Sequence, residues 1–311
     1  MNILVTGASG FIGNYLTNYL EEQGHLVKGI SRNSSEKLMK LPCYEDINSW
    51  CDLLKDVNVI VHCAGRAHIL NDSTTDPLKE FREVNVENTL SLAKLAIEAN
   101  VKRFVFFSSL GVLGAATYKI PLDEKSPFEP AYDYAVSKVE AEQALKKVFE
   151  GTSVELVIIR PPLVYAEHAP GNFSRLIKLA KSGILLPFNG VKNRRSLISL
   201  DNLIEFTELC CTHKNAANEA FVVCDDEIVT TSEIIENLRV GMNKNEMTFY
   251  FPDGLLKFLF KVIGKIGLYH KVFGSLEVSN KKAKKLLGWS PRESSYDGLK
   301  KAGEKYKNER S

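Results

Sequence analysis

Long apolar runs are missing from this 311-residue chain. No uncharged stretch reaches the ~20 residues that cross the hydrocarbon core of a bilayer. The segment Met1-Asn2-Ile3-Leu4-Val5 runs straight into a glycine loop, without the basic, apolar and small-residue regions of a secretory leader. Excess charge is equally scarce. Lys and Arg number 40 against 38 Asp and Glu, a net charge of +2, too little for the field of a nucleic-acid binder. Cys43, Cys51, Cys63, Cys210, Cys211 and Cys224 lack the spacing of metal ligands, so no metal is expected, and they read as reduced thiols. Repeats and low-complexity tracts are absent too. The expectation is a cytoplasmic protein with no integral membrane segment and no nucleic-acid partner.

What is present is alternation. Ile3–Val5, Leu26–Ile30, Val57–Cys63, Phe104–Phe107 and Leu156–Ile159 are short runs rich in Val, Ile and Phe, the pattern of parallel strands buried on both faces. Between the third and fourth, Phe81, Val84, Asn88, Leu92, Leu95 and Ala99 recur at helical spacing and mark one covered helix face. Strand–helix alternation predicts an α/β fold with a Rossmann-type doubly wound parallel sheet. After Arg160-Pro161-Pro162 the regularity fades, and Pro and Gly punctuate the chain up to Arg195. That predicts a smaller, irregular α/β substrate-binding region. The expected boundaries are 1–163 plus about 194–226 for the dinucleotide domain, and 164–193 plus 227–311 for the substrate domain. Leu255–Phe273 is apolar, with Lys257, Lys261 and Lys265 spaced by four on one helical face. It reads as a surface helix packed on its own domain, or as an interfacial membrane helix. Lys281, Lys282, Lys284 and Lys285 read as a solvated helix face.

Gly7, Gly10 and Gly13 fall between the first strand and a helix beginning near Phe11. Glycines there let backbone amides approach a pyrophosphate, whose charge the helix N-terminus favours. A glycine motif is weak evidence alone, but here it has the required strand before it and helix after it. An acidic residue at the end of the second strand would bind the adenosine ribose hydroxyls; the chain has Ser31-Arg32-Asn33 instead. A guanidinium there pairs with a 2′-phosphate, which favours NADP(H) over NAD(H). Asp46, followed by Ile47, is placed to accept from the adenine amino group.

Tyr134-Ala135-Val136-Ser137-Lys138 puts a phenol and an ammonium one turn apart on a helix face. A free tyrosine, with a pKa near ~10, is a poor acid–base group at neutral pH. A nearby cation and the cofactor's positive nicotinamide favour the phenolate and are expected to lower that value. The strand ending in Ser108-Ser109 adds hydroxyls at the carboxyl edge of the sheet, where such folds bind ligands.

The strings TGASGFIG (6–13), VHCAG (61–65), VNVENT (84–89), FSS (107–109) and YAVSK (134–138) resemble the extended short-chain dehydrogenase/reductase superfamily. The resemblance implies a catalytic Ser109, an acid/base Tyr134, and a Lys138 that tunes it and holds the nicotinamide ribose. It implies cofactor contacts at Gly7, Ser9, Gly10, Phe11, Ile12 and Gly13, at Ser31, Arg32, Asp46 and Ile47, and at Cys63, Ala64 and Gly65. Asn85, Lys138 and Pro161 complete that set, with Asn85 open to a purely structural role. Leu113 stands where most nucleotide-sugar members carry Tyr. The family also implies a homodimer through two helices beside the sheet.

The second half resembles the nucleotide-sugar branch. RPPLVY (160–165), GNF (171–173), RRSLISLDNL (194–203) and LGWSP (287–291) carry that likeness. It implies a UDP-sugar substrate held by Ser109 and Tyr134 at the reacting carbon and by Asn172 and Arg195 at the diphosphate, where a guanidinium donates two parallel hydrogen bonds. Leu110-Gly111 follow Ser109, where 4,6-dehydratases place Asp-Glu and combined 3,5-epimerase/4-reductases place Cys. A 4-keto-reductase and a 4-epimerase remain. The strings look most like reductases of UDP-4-keto-6-deoxy-N-acetylglucosamine in O-antigen and capsule synthesis, with a UDP-glucose or UDP-N-acetylglucosamine 4-epimerase as the alternative. A reductase of a sterol- or flavonoid-like ketone needs no diphosphate clamp, and a non-enzymatic cofactor sensor commonly lacks the Tyr and Lys.

Overall fold

The apolar runs pair as parallel strands. In the computed structural model, which describes residues 1–35, 37–67, 76–117, 119–245 and 248–308, the first half contains β1 (Asn2–Thr6), α1 (Phe11–Glu22), β2 (Leu26–Ser31), β3 (Met39–Lys40), α2 (Ile47–Leu54) and β4 (Val59–His62). It continues with α3 (Pro77–Arg82), α4 (Asn88–Glu98), β5 (Arg103–Phe107), α5 (Asp133–Phe149) and β6 (Glu155–Arg160). The second half adds β7 (Leu163–Tyr165), α6 (Gly171–Ser182), β8 (Arg195–Ser199), α7 (Leu200–Thr212), β9 (Glu219–Val222) and β10 (Ile228–Val229). The helices α8 (Thr231–Gly241), α9 (Asp253–Val262), α10 (Ile266–Phe273), α11 (Lys281–Leu287) and α12 (Ser295–Asn308) close the chain.

Seven strands form one sheet in the order β3-β2-β1-β4-β5-β6-β9, every pair parallel. The order reverses between β1 and β4, the switch point where doubly wound sheets bind their ligands. Every residue of β4 and β5 is buried, because helices cover both faces. One face packs against α1 and α7 through Leu16, Leu20, Leu203 and Phe206. The other packs against α2, α4 and α5 through Trp50, Leu92 and Leu145. The fold is the Rossmann-type α/β sheet that the alternation predicts.

A smaller sheet, β10-β8-β7, flanks the first, with β7 and β8 parallel and β8 and β10 antiparallel. Its core joins Tyr165, Phe173, Leu197, Ile234, Leu238 and Leu299. The helices α8 and α12 touch backbone to backbone: a Cβ at Gly303 would overlap the Leu238 carbonyl, and one at Gly241 the Lys300 carbonyl. Strand β9 returns to the large sheet between β8 and β10, so the chain passes repeatedly from one lobe to the other.

Three sequence expectations change. The helical stripe is interrupted by a π-helical turn at Glu83–Glu87. The wider turn rotates the covered face, so Asn85 and Thr89 are buried while Val84 and Asn88 are half-buried; from Leu92 onward the expected stripe resumes. The 255–273 segment is two helices rather than one. Gly264, at φ 69°, follows the C-cap of α9, and Lys265 becomes the N-cap of α10, off the face of Lys257 and Lys261. The 281–285 lysines are not simply solvated: Lys282 pairs with Glu219 at 2.6 Å and lies 5.0 Å over the Phe221 ring, and Lys284 pairs with Asp226.

Asp225 joins the lobes. Its buried carboxylate accepts from Tyr165 Oη at 2.9 Å, Asn202 Nδ2 at 2.8 Å, the Ser199 amide at 3.2 Å and Ser295 Oγ at 3.2 Å. Burial nevertheless pushes its pKa up to about 6 from 3.8, outweighing those donors. A raised folded-state pKa means that the native chain holds the proton more tightly than the unfolded one. Stability from this group is therefore complete below about pH 4 and declines as pH rises through about 6. Denaturant titrations of the wild type and Asp225→Asn between these limits should diverge by up to about 3 kcal/mol. Parallel pH profiles would contradict the assignment.

Candidate active site

The β1–α1 turn is shaped by steric exclusion. Gly7 adopts φ 67°, and a Cβ on it would overlap the Ala64 backbone, while a Cβ on Gly13 would overlap the Gly7 carbonyl. The turn therefore lies against the end of β4, where Thr6 Oγ1 accepts from the Ala64 amide at 3.3 Å. Gly10 caps α1 without any side-chain hydrogen bond, and the first turn, at Phe11 and Ile12, holds no acidic group. Ser9 and Gly10 are exposed. Free amides at a helix N-terminus, with backbone on both sides where a side chain would intrude, fit a dinucleotide pyrophosphate.

At the end of β2, Ser31 is buried and donates its hydroxyl to the Asn33 carbonyl, whereas Arg32 is exposed. A cleft of about 440 Å³ opens beside this loop, between α1 and residues including Ser35 and Lys37. Asp46 is the N-cap of α2, accepting from the Ser49 amide at 3.2 Å and Ser49 Oγ at 2.7 Å; these bonds hold its pKa below the usual value. Ile47 is exposed on the first turn of α2. His62, next to Cys63, is buried. It is held between Thr6 Oγ1 at 2.7 Å and Thr89 Oγ1 at 2.9 Å, and burial pulls its pKa down to about 3, so the ring stays neutral.

The carboxyl end of β5 and the first turns of α5 bring the reactive groups together. Ser109 follows β5 half-buried, its Oγ accepting from the Gly111 amide at 3.1 Å. The Pro161 carbonyl accepts from the Leu110 amide at 2.9 Å, so the buried Pro161 fixes the floor of this turn. Leu113 is fully enclosed with Leu110, Val112 and Val139. Lys138 Nζ donates to the Phe107 carbonyl at 2.9 Å and lies 4.5 Å over the Phe106 ring and 6.0 Å from the Tyr134 ring centre. Burial lowers its pKa to about 8.

Tyr134 departs from expectation. Burial, with Tyr132 second, pushes its pKa up rather than down. The ammonium lies against the tyrosine ring and spends a donor on Phe107, so it does not offset desolvation of the phenolate in the chain alone.

Two further residues matter here. Asn85 clamps the Gly65–Arg66 loop to α5: its Oδ1 accepts from the Arg66 amide at 2.7 Å, and its Nδ2 donates to the Arg66 carbonyl at 3.1 Å and Ser137 Oγ at 3.0 Å. A Cβ on Gly65 would press on Asn85 Oδ1 and Lys138 Nζ. Tyr132 escaped the sequence analysis. Its ring stacks on Tyr134 with centres 6.4 Å apart, and its hydroxyl occupies the space that a Cβ on Gly111 would fill, beside Ser109 Oγ. The signal was available only as a second aromatic two positions before Tyr134, which carries no meaning without the Gly111 contact.

On the smaller lobe, Asn172 is exposed in the first turn of α6. Arg195 opens β8 and donates from Nη1 to the Gly274 carbonyl at 3.0 Å; burial lowers its pKa. Arg194 turns away to Glu277 at 2.8 Å. All six cysteines are free, and among the described residues no cluster of three His, Cys, Asp or Glu could hold a metal. No helix among them is long and apolar enough to cross a membrane.

A Rossmann sheet with a glycine turn at its switch point, and a Ser/Tyr/Lys group at the next strand end, defines a short-chain dehydrogenase/reductase of the extended type. The chain belongs to the NAD dependent epimerase/dehydratase family, whose profile matches residues 3–224, and it is an enzyme of that family. A UDP-glucose 4-epimerase of Vibrio cholerae is 37% identical over 313 residues, covering 98% of this chain and 95% of the relative. An N-acetyl-α-D-glucosaminyl-diphospho-ditrans,octacis-undecaprenol 4-epimerase of Escherichia coli O157:H7 is 24% identical, covering 85% and 80%. Among solved structures, the UDP-glucose 4-epimerase of Thermotoga maritima with UDP-glucose superposes with a TM-score of 0.78 at 20% identity, over 100% of both chains.

The orientation of α5 rests on a buried ion pair one turn beyond Lys138. Glu142 accepts from Arg160 Nε at 2.9 Å and Nη2 at 2.5 Å, with both side chains almost wholly inaccessible. Glu142→Gln leaves the guanidinium buried without a counter-charge and should cost about 3–5 kcal/mol of stability. Chemical denaturation measures this, and a loss under 1 kcal/mol, the ~0–1 kcal/mol range of exposed pairs, would remove the ion pair from the framework of the site.

Proposed function

We propose that the enzyme transfers a hydride at C4 of a UDP-linked hexose derivative. The observation that carries this reading is Tyr134 and Lys138, one turn apart on α5 beside Ser109, in a chain 37% identical over nearly its whole length to a protein named for chemistry at C4 of UDP-glucose. Bound nicotinamide would supply or accept the hydride. Tyr134 passes a proton to or from the C4 oxygen, Ser109 orients that oxygen by hydrogen bonding, and Lys138 holds the nicotinamide ribose. Burial raises the Tyr134 pKa in the chain alone, which favours the phenol as proton donor to a C4 oxygen. Tyr132 adds a second hydroxyl beside Ser109, and Asn172 and Arg195 hold the diphosphate. The working form is a cytoplasmic homodimer.

Within that chemistry, our first reading is reduction of a UDP-4-keto-6-deoxy-N-acetylhexosamine for surface-polysaccharide synthesis. Arg32 supports it: an exposed cation at the end of β2, where Ser31-Arg32-Asn33 stands in place of an acidic residue, suits NADPH exchanged in each cycle. The second reading, a UDP-glucose or UDP-N-acetylglucosamine 4-epimerase, has at least equal support from the names of the relatives.

The two are separated by incubating the purified enzyme with UDP-4-keto-6-deoxy-GlcNAc and NADPH and, separately, with UDP-glucose or UDP-GlcNAc without reductant. Stoichiometric NADPH oxidation in the first supports reduction; C4-inverted sugar in the second establishes the epimerase. Arg32→Ala should weaken NADPH roughly tenfold more than NADH, the loss of one charge-assisted contact. Equal effects on both would remove the basis for NADPH. Tyr134→Phe should lower turnover by about 10²–10⁴ with cofactor affinity nearly unchanged, and retained turnover would end the proton-transfer role.

A further inference from the structure

The α9–α10 hairpin has an apolar face that the fold leaves uncovered. On α9 the residues Leu255, Phe258, Leu259, Val262 and Ile263 follow the i, i+3, i+4, i+7, i+8 spacing that ordinarily marks a helix face turned to a core. Here all five are exposed, Phe258 by 57%, Val262 by 66% and Ile263 by 60%. The inward face of the helix is a different one. It carries Leu256 and Phe260, which pack with Tyr269 and Phe273 of α10. Leu268 on α10 is exposed as well. Ile184 and Leu185, and Phe249 and Tyr250, on either side of the Leu186–Thr248 bridge, are exposed too.

The charge on this surface has one sign. Lys257, Lys261 and Lys265 are exposed on α9 and the turn after it. The single acidic residue between Phe249 and Phe273 is Asp253, and it is occupied by the Tyr269 hydroxyl. A second copy seated symmetrically on this face would bring lysines to lysines with no carboxylate to receive them. A bilayer containing anionic phospholipid supplies what the face lacks: apolar depth for the Phe258–Ile263 stripe and phosphates for lysine side chains that reach past it.

We propose that the α9–α10 hairpin docks the enzyme on an anionic phospholipid surface, with the Leu255–Ile263 stripe in the headgroup–acyl boundary and Lys257 and Lys261 at the phosphates. The hairpin ends at Gly274, whose carbonyl is hydrogen-bonded to Arg195, so docking brings the smaller lobe to the membrane. The inference does not depend on which sugar is bound.

Cosedimentation of the full chain with phosphatidylcholine vesicles, with and without phosphatidylglycerol, tests it. Binding should require phosphatidylglycerol and weaken with salt. It should fall about fivefold for each of Lys257→Gln and Lys261→Gln, and be lost in a Phe258→Glu/Val262→Glu variant. Both substituted apolar positions are exposed, so the variant should keep the wild-type melting temperature and activity on a soluble substrate. Absence of vesicle binding by the wild type overturns the proposal. So does light scattering that shows a wild-type oligomer dissociated by Phe258→Glu/Val262→Glu, which assigns the face to a second copy.

Discussion

Lys138 carries a charge into a place where water does not follow, at the end of β5 between the sheet and α5. An ammonium removed from water requires other groups to stabilise it. The Phe107 carbonyl and the face of Phe106 do so on one side. Glu142, four residues on, adds a favourable field and is itself held by Arg160 at the end of β6. Tyr134, Lys138 and Glu142 are thus successive positions on one helix face, and two of the three are tied to strand ends. The helix cannot rotate about its axis without separating buried charges. The direction in which the Tyr134 phenol points is a consequence of that constraint.

Around the lysine, the backbone has been brought closer than side chains usually allow. Gly65 leaves space for Lys138 and Asn85, Gly7 for Ala64, and Gly111 for Tyr132. Asn85 reaches the loop because the π turn at Glu83–Glu87 turns it inward. An α-helical continuation would present a different residue. Local irregularity in the helix and close approach in the loop are two parts of one device, which holds the Gly65–Arg66 loop against α5.

Much of this was legible in the residues. Both-face burial makes the strands apolar throughout, so Ile3–Val5 and Phe104–Phe107 stand out without any structure. The glycine turn and the Tyr134/Lys138 spacing are local geometry, and local geometry is written locally. Tyr132 and Asp225 were not legible, because their meaning lies in contacts across the chain: Asp225 bonds to Tyr165, 60 residues away, and to Ser295, 70 away. The π turn was hidden because a one-residue widening of a helix leaves composition unchanged. In the chain alone the Tyr134 shift runs upward; proximity in sequence does not say how much water a group loses.

The interleaving of the two sheets has a consequence for how the protein changes over time. Strands β8 and β10 of the small sheet are separated in the chain by α7 and β9, which belong to the large one. No single cut frees the smaller lobe, and no single graft replaces it. A lineage built on this plan changes that lobe by altering individual side chains, not by exchanging modules. Family resemblance across the whole chain can therefore persist while the smaller lobe changes.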